Sequence, residues 1–295
     1  MTADDFSRWV LQQQADVERA LERWVPEDAP ARLGEVMRYA VLDGGKRLRP
    51  LLVLAACDAV GGARDAALRA AVAVELIHAY SLVHDDLPCM DNDVLRRGKP
   101  TVHVRYGEAP AMLAGDAMQA LAFEVLTPDD GVPPALAARL VALLARASGH
   151  AGMAGGQAID LASVGRTLDE RTLRDMHRRK TGVLLQASVL MGAACGRTSP
   201  DAAAALSDSG AAIGLAFQVV DDILDVTQAS EVLGKTAGKD ADQNKPTFVS
   251  LLGLEAAQAH ANALRDQAHA ALARSDLAQA ACLACLADKV VERDN

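Results

Sequence analysis

Two clusters of aspartates lie far apart in the 295-residue chain and have the residue types and spacing to do chemistry together. The first is DDLPCMD at 85–91 and the second is DDILD at 221–225, and each follows an apolar run. Neighbouring carboxylates repel one another unless a cation lies between them. Mg²⁺ binds through a few carboxylates together with waters and phosphate oxygens. Two such clusters therefore predict a magnesium site around a diphosphate, whereas one cluster alone would indicate a solvated helix end.

Helix geometry predicts how each cluster can gather its carboxylates. At about 100° per residue, the three aspartates of the second cluster fall within about 100° of one another on one helix face. The same rule places Asp91 about 240° from Asp85, on the wrong side of a regular helix. Pro88 interrupts the helix between them. We therefore expect the chain to turn at Pro88 and to fold Asp91 back toward Asp85.

Short basic segments lie beside turns and could supply the cations that a diphosphate site needs. They are GGKRLRP at 44–50, LRRGKP at 95–100, RRKTG at 178–182, GKTAGKD at 234–240 and NKP at 244–246. Backbone N–H groups at a junction between a loop and a helix can also face an anion. In a chain of net charge −9, this clustering predicts anion binding. A single basic turn is more simply solvated, and Lys99 and Lys239 are assigned to that class.

Several polar residues in apolar surroundings are further candidates for the site. His78 lies about 20° from Asp85 on the helix, two turns before it, which favours a place in the site over a satisfied core histidine. Gln218 precedes the second cluster by one turn and should point into the same space. Gln157 and Asp160 stand in an apolar stretch and need polar partners. For these two, lining the cavity and a purely structural role both stay open.

The elements that must position these residues are predicted to be helices. Hydrophobic residues make up 51% of the chain and aromatic residues only 3%, a composition typical of helical proteins rather than of sandwiches or barrels. Periodicity and breakers predict helices at about 5–22, 49–60, 65–86, 109–126, 134–149, 169–195, 201–226, 246–272 and 276–291. No segment alternates long enough to require a strand. The sequence thus predicts one all-α domain over residues 1–295.

Composition also excludes several classes of protein. The net charge of −9 argues against a general nucleic-acid binder. Five scattered cysteines argue against a disulfide framework and favour a reducing, cytoplasmic compartment, and the Cys282/Cys285 pair lacks the further ligands of a zinc site. The N-terminal residues do not form a signal peptide. No apolar run reaches 18 residues, so we expect no stable membrane insertion.

The motifs together resemble the trans-isoprenyl diphosphate synthase family, specifically its bacterial farnesyl diphosphate synthases. The segment at 85–91 looks like the family's first aspartate-rich motif in its DDxxxxD form, and the segment at 221–225 looks like the second. GGKRLRP, GGQAIDL, KTG, FQVVDDILD and GKTAGKD follow in the family's order from about residue 40 onward. The resemblance implies a large helical bundle around a central cavity, a homodimer, and Mg²⁺, with three ions when substrate is bound.

The resemblance also implies a role for each matching residue. The diphosphate of isopentenyl diphosphate would be bound by Lys46, Arg49, His78 and Arg97. The allylic diphosphate would be bound by Arg96, Lys180, Lys235 and Lys245. Direct Mg²⁺ ligands would be Asp85, Asp91 and Asp221, supported by Asp86, Asp222 and Asp225. The catalytic residues would be Lys180, Thr181 and Gln218, with the last two beside the developing allylic cation.

Product length follows from the residues that precede the first motif. Tyr80 and Ser81, five and four residues before Asp85, would form the floor of the tail pocket. A bulky Tyr80 should stop elongation early, so we expect condensation of isopentenyl diphosphate with dimethylallyl or geranyl diphosphate to farnesyl diphosphate (C15) and pyrophosphate. The DDLPCMDND wording also resembles some geranylgeranyl diphosphate synthases, which makes C20 the alternative. Two departures from the family pattern are Val94, where an acid is expected, and Lys289, where an aromatic residue is common.

Three other interpretations compete with this one. His84-Asp85 could be the signature of an all-α metal phosphohydrolase of the His-Asp type, but that leaves the second cluster and the lysines unexplained. The chain could be an inactive partner subunit of a heteromeric synthase, although such subunits usually lose site residues that this chain keeps. A terpene cyclase would bind metal ions and a diphosphate in a similar way, but it would not need GGKRLRP to bind a second diphosphate.

Overall fold

Helices make up nearly all of the regular structure in the computed structural model, which describes residues 1–42, 44–166, 168–227 and 246–293. In chain order the helices are α1 (Ala3–Trp24), α2 (Leu33–Val41), α3 (Leu48–Ala59), α4 (Arg64–Asp85), α5 (Val102–Tyr106), α6 (Glu108–Leu126), α7 (Pro134–Ser148), α8 (Met153–Ser163), α9 (Glu170–His177), α10 (Val183–Ala194), α11 (Pro200–Thr227), α12 (Phe248–Leu252), α13 (Leu254–Arg274) and α14 (Ala281–Val291). A 3₁₀ turn, Pro30–Arg32, precedes α2. The all-α prediction is confirmed.

Two long apolar helices form the centre of the molecule and carry the two acidic clusters at their ends. α4 packs against α3 and α6, and α11 packs against α10 and α13. Both are long and apolar enough to cross a membrane, but 72% and 56% of their most apolar windows are buried inside the molecule. A helix that is apolar on all sides belongs in a protein core. α4 and α11 are therefore core helices, and each carries one acidic cluster near its C-terminal end.

The segment after α4 contains a small element that the sequence analysis did not predict. Leu95–Arg96 (β1) and Lys99–Pro100 (β2) pair as an antiparallel hairpin. Arg97 and Gly98 both have positive φ, 53° and 72°, as a two-residue hairpin turn of the mirror-image type requires. Each strand has only two residues, which is too short for an alternation signal. The prediction that no segment alternates long enough to require a strand is therefore compatible with this hairpin, which the all-α prediction did not include.

Two predicted helices are divided. The predicted helix at 169–195 contains a π-helical turn, Arg178–Gly182, between α9 and α10. The predicted helix at 246–272 is interrupted at Gly253, and Thr247 caps its short first part, α12, with a capping box. Hydrophobic periodicity follows the apolar face across such breaks, and so it does not detect them.

The π-helical turn is held close to α8. A Cβ atom built on Gly156 of α8 would lie 2.1 Å from the backbone nitrogen of Lys180. Only glycine permits so close an approach of two backbones. Since Lys180 and Thr181 lie on this turn, the packing fixes where their side chains enter the interior.

Candidate active site

The first acidic cluster is formed by the end of α4 and a tight return of the chain. The backbone amide of Asp91 donates a hydrogen bond to the carbonyl of Asp85 at 2.8 Å, so Asp91 folds back as the proline predicts. The pKa of Asp85 is raised to about 6, chiefly by burial and also by the charges of Asp91 and Asp86, while Lys180 and Arg96 act to lower it. The cluster therefore concentrates negative charge that a cation would relieve.

Asp86 is engaged in a different way from its neighbour. Its carboxylate is buried and accepts a fork of hydrogen bonds from Arg96, at 2.8 Å from Nε and 2.5 Å from Nη2. Asp93 lies 3.7 Å from the same guanidinium. The structure thus places Arg96, predicted to bind the allylic diphosphate, in an ion pair beneath the first cluster. Asp86 occupies a supporting position there.

Lys180 projects from the π-helical turn toward the first cluster. Its Nζ lies 2.6 Å from a carboxylate oxygen of Asp160. Burial acts to lower the pKa of Lys180, but the carboxylates of Asp160, Asp85 and Asp91 outweigh it and raise that pKa. Asp160, whose role the sequence left open, therefore holds the lysine that faces the acidic cluster.

The second cluster is tied to the π-helical turn by a chain of hydrogen bonds. Thr181 donates to Gln218 Oε1 at 2.9 Å, and Gln218 Nε2 donates to Asp222 Oδ1 at 2.9 Å. The backbone amide of Phe248 donates to Asp222 Oδ2 at 2.8 Å, and His177 Nε2 lies 3.7 Å from the same oxygen. Asp222 is therefore buried and hydrogen-bonded through both oxygens, which suits a supporting role.

Asp221, beside Asp222 on α11, pairs with a residue that the sequence analysis did not single out. Arg293 Nη2 lies 3.4 Å from Asp221 Oδ1 and donates to the carbonyl of Phe217 at 2.8 Å. Its guanidinium stacks 3.9 Å above the Phe217 ring. Asp225, one turn further along, is buried. No local sequence signal marks Arg293, because its partners lie more than 70 residues away.

A cavity of about 1230 Å³ lies near the N-terminus of α3, and several basic residues line it. Its cationic and titratable lining includes Lys46, Arg49, His78, Arg97 and Arg293. Arg47, between them in GGKRLRP, also borders this cavity, but its guanidinium is buried in ion pairs with Glu18 and Glu75, at 2.6 and 2.7 Å. The charge of Arg47 is therefore already compensated within the protein.

The electrostatics of this cavity favour an anion. Burial lowers the pKa of Arg49 to about 10. Burial also holds the pKa of His78 well below its usual range, and the neighbouring Arg49 and Arg97 charges lower it further. Cationic groups that lower one another's pKa in this way are stabilised when a polyanion binds between them.

A second cavity of about 360 Å³ runs beside α4 below the first acidic cluster. It is lined by residues that include Arg49, His78, Tyr80, Ser81, His84, Asp85, Gln157, Lys180 and Thr181. Arg49 and His78 line both cavities, so the two spaces adjoin. Within the described part of the chain, the amide of Gln157 and the Nε of Arg49 are buried without hydrogen-bond partners. Such groups are expected to face a ligand.

The donor set of the two acidic clusters fits Mg²⁺. Within the described ranges, no three acidic, histidine or cysteine side chains form a group that could hold a metal unaided. Mg²⁺ commonly takes one or two carboxylates from the protein and fills its remaining positions with waters and substrate phosphates. Lys235 and Lys245, predicted to contact the allylic diphosphate, lie outside the described residues.

Comparison with known proteins identifies the family. Residues 30–284 match the model of the family described as polyprenyl synthetase. The chain belongs to this family of prenyltransferases, the trans-isoprenyl diphosphate synthases, and has the isoprenoid synthase fold.

Particular relatives resemble nearly the whole chain. A heterodimeric geranylgeranyl pyrophosphate synthase large subunit of Arabidopsis thaliana is 46% identical over 99% of this chain and 80% of its own length. The apo structure of an FPP/GFPP synthase from Zymomonas mobilis is 44% identical, with a TM-score of 0.88 over 98% of this chain and 100% of its own. A Helicobacter pylori geranyltransferase, solved with magnesium and isoprenyl diphosphate, is 34% identical, with a TM-score of 0.86 over 99% and 97%.

Proposed function

We propose that this prenyltransferase condenses isopentenyl diphosphate with dimethylallyl or geranyl diphosphate and releases farnesyl diphosphate (C15) as its main product. The observation that carries this proposal is the pair of adjoining cavities that share Arg49 and His78. The lining of one cavity contains a cluster of lysines and arginines, and the other combines Asp85 and Lys180 with an apolar wall. Such a pair accommodates two diphosphate substrates whose reacting carbons meet at the shared boundary.

The cationic cavity is the proposed site of isopentenyl diphosphate. Lys46, Arg49, His78 and Arg97 would contact its diphosphate, and Arg293 adds a further guanidinium to the same wall. Arginine forks suit the bidentate geometry of phosphate oxygens. Held there, the substrate presents its double bond toward the shared boundary with the second cavity. Binding in the reactive geometry removes much of the entropic barrier to a reaction of two molecules.

The second cavity is the proposed site of the allylic substrate. Its diphosphate would lie at the mouth near Lys180, with its hydrocarbon tail running along α4 toward Tyr80. Lys180 stabilises negative charge on the departing diphosphate. The Thr181 hydroxyl and the Gln218 amide, hydrogen-bonded to each other, place oxygen dipoles near the carbon that becomes positive.

The bond changes in the proposed reaction balance within the two substrates. The allylic C–O bond breaks and its electron pair leaves with pyrophosphate. The isopentenyl double bond then attacks the allylic cation, and the new C–C bond leaves a cation that loses a proton to the departing pyrophosphate. The protein supplies position, charge stabilisation and a cavity that excludes water.

Mg²⁺ would be held by Asp85, Asp91 and Asp221, with Asp86, Asp222 and Asp225 supporting them. When bound, the metal would neutralise charge on the leaving diphosphate. The hydrogen bonds from Gln218 and Phe248 keep Asp222 fixed, and Arg96 keeps Asp86 fixed. Such outer partners orient the residues beside them and are part of a metal site's design.

Tyr80 supports the assignment of a C15 product. Its side chain is buried, and it lies five residues before Asp85, about 7.5 Å along the helix axis. A ring at this depth blocks the path of a longer tail. Geranylgeranyl diphosphate (C20) is the second candidate, favoured by the name of the Arabidopsis relative at 46% identity.

Incubation of the purified chain with isopentenyl diphosphate, dimethylallyl diphosphate and Mg²⁺, followed by sizing of the products, tests the proposal. The expected result is a C15 diphosphate formed by this chain alone. Phosphate release without condensation would support the phosphohydrolase interpretation instead. Activity only after addition of a second subunit would support the interpretation as a partner subunit.

The position of His84 bears on the phosphohydrolase interpretation. Its Nε2 lies 3.0 Å from the carbonyl oxygen of Met112 on α6. A carbonyl oxygen only accepts, so this nitrogen carries a proton and is directed away from a shared metal site with Asp85. His84 therefore anchors to α6, while Asp85 is the proposed metal ligand, and the two side chains would not bind one metal together.

A further inference from the structure

We propose that α6 sets the depth of the tail cavity, with His84 as the positioning residue through which it holds Tyr80. This inference rests on the proposed function, because cavity depth has meaning only for a growing hydrocarbon tail. It assigns a specificity role to residues that do not belong to either aspartate motif's metal-binding set.

The floor residue Tyr80 is held at two points. Its ring meets the His84 ring edge-on, with centroids 5.7 Å apart and planes at 75°. Its hydroxyl receives a hydrogen bond from Gln119 Nε2 at 3.4 Å. Edge-to-face aromatic pairs are favourable beyond the area that they bury. The ring that ends the cavity therefore has its orientation set by a neighbour on its own helix and by one residue of α6.

His84 is in turn held by a notch in α6. Its Nε2–H donates to the Met112 carbonyl at 3.0 Å. A Cβ atom built on Gly115 would lie only 2.0 Å from the same Nε2. The imidazole thus occupies the space that a side chain at position 115 would fill. Glycine at this position is what lets the ring lie against α6 and meet the edge of Tyr80, one helical turn away on α4.

The three contact positions on α6 form one face. Met112, Gly115 and Gln119 are spaced by three and four residues, which places them one above another on the helix. Met112 and Gly115 contact the His84 ring, and Gln119, one turn further along α6, contacts the Tyr80 hydroxyl. Both gripped side chains line or end the same 360 Å³ cavity. A single rigid helix face therefore defines where the cavity stops.

The principal test measures product lengths made by His84→Ala. With the imidazole gone, the Tyr80 ring loses its edge contact and can turn aside, so a longer tail fits. We expect the ratio of the next-longer product to the main product to rise about tenfold, as for other changes of pocket size. His84→Gln keeps an N–H donor within reach of the Met112 carbonyl but not the aromatic edge, so it should restore only part of the wild-type ratio.

Gly115→Ala provides a second and independent variant. The added methyl group must displace the imidazole from its notch, so the product ratio should again change while His84 itself is intact. Asp116→Asn, an exposed neighbour on α6, is the matched control and should leave the ratio unchanged. The KM for isopentenyl diphosphate should stay near the wild-type value in every variant, because none of these residues lines the cationic cavity.

The outcomes separate this inference from the proposed function. If the wild-type chain forms no prenyl diphosphate, the proposed function fails. If the wild type condenses its substrates and the product ratios of His84→Ala and Gly115→Ala equal its own, α6 does not set the depth and the inference is overturned. Should His84→Ala fail to fold, the Gly115→Ala ratio decides by itself, with Gln119→Leu as its companion.

Discussion

The backbone amide of Asp91 donates to the carbonyl of Asp85 at 2.8 Å, and this bond closes the return of the chain after α4. It brings two carboxylates together that a continuous helix would have separated. Lys180 faces both of them, and its pKa is raised first by its partner Asp160 and then by the charges of Asp85 and Asp91. The arrangement holds like charges close, which is unfavourable for folding and favourable for binding a cation.

Asp85→Asn should therefore stabilise the metal-free protein while removing activity. The pKa of Asp85 is raised to about 6, so its ionised form opposes folding, and the cost grows as the pH rises from about 4 to above 6. At pH 8 the variant should exceed the wild type by on the order of 2 kcal/mol in free energy of unfolding. At pH 3 the difference should vanish. Urea unfolding without metal measures both.

The activity of the same variant is the other half of this prediction. Condensation should fall by at least about 10²-fold, because one carboxylate ligand of the metal is lost. Circular dichroism at 222 nm should stay helical. A variant that is less stable than the wild type at pH 8, or fully active, would contradict the assignment.

Arg96→Ala should destabilise the protein through Asp86. The carboxylate of Asp86 is buried and bound by a fork of hydrogen bonds from Arg96, and removing one partner of such a pair costs about 3–5 kcal/mol. Arg96→Lys keeps the charge but not the fork, and should cost less. The double variant with Asp86→Ala should recover much of the loss in urea unfolding. If Arg96→Ala raises the KM for the allylic substrate with no loss of stability, the arginine is a substrate contact instead.

Binding of a diphosphate in the cationic cavity should take up protons through His78. Its pKa lies well below the usual range because the ring is buried and surrounded by Arg49 and Arg97. A bound polyanion raises that pKa, so the free ring is neutral at pH 7 and the bound ring gains charge. Affinity should therefore increase as the pH falls from 8 toward 6.

Calorimetry checks this proton uptake. Titrations of isopentenyl diphosphate in buffers of different ionisation enthalpy at pH 7 give the number of protons taken up. His78→Gln should reduce that number, and His103→Gln, in a histidine on α5 that lines neither cavity, is the matched control. Equal uptake by the wild type and His78→Gln would exclude His78 as the group that titrates.

Tyr80→Ala should lengthen the product. The side chain is buried at the floor of the tail cavity, and its removal leaves space below the allylic tail. Sizing of the products should show a shift of the main product from C15 to C20 or beyond. Ser81→Ala removes only a hydroxyl that donates to the carbonyl of His78 at 2.9 Å, and should change the distribution little. A wild type that already makes C20 would remove Tyr80 as the stopping residue.

Local sequence rules predicted much of this site. Pro88 predicted the return of Asp91, and the i, i+4 spacing predicted that Gln218 points into the same space as Asp222; the two side chains are joined by a 2.9 Å hydrogen bond. Gln157 was left open by the sequence, and the structure places it on the wall of the tail cavity. These relationships depend on one or two turns of helix, where geometry is fixed by the backbone.

Long-range partners could not be predicted in this way. Arg293 meets Asp221 across 72 positions, and Lys180 meets Asp160 across 20. The π-helical turn that aims Lys180 depends on the absence of a side chain at Gly156, on another helix. Packing between elements decides such contacts, and periodicity within one element carries no information about them.

The most direct test of the central claim is a double-mutant cycle on Mg²⁺-dependent binding of inorganic pyrophosphate. If Asp85 and Asp221 act on one ligand, Asp85→Asn and Asp221→Asn should each weaken binding strongly, and the double variant should be little worse than either. Isothermal titration with and without Mg²⁺ provides the four affinities. Losses that simply add in the double variant, or pyrophosphate affinity that does not depend on Mg²⁺, would contradict a shared site.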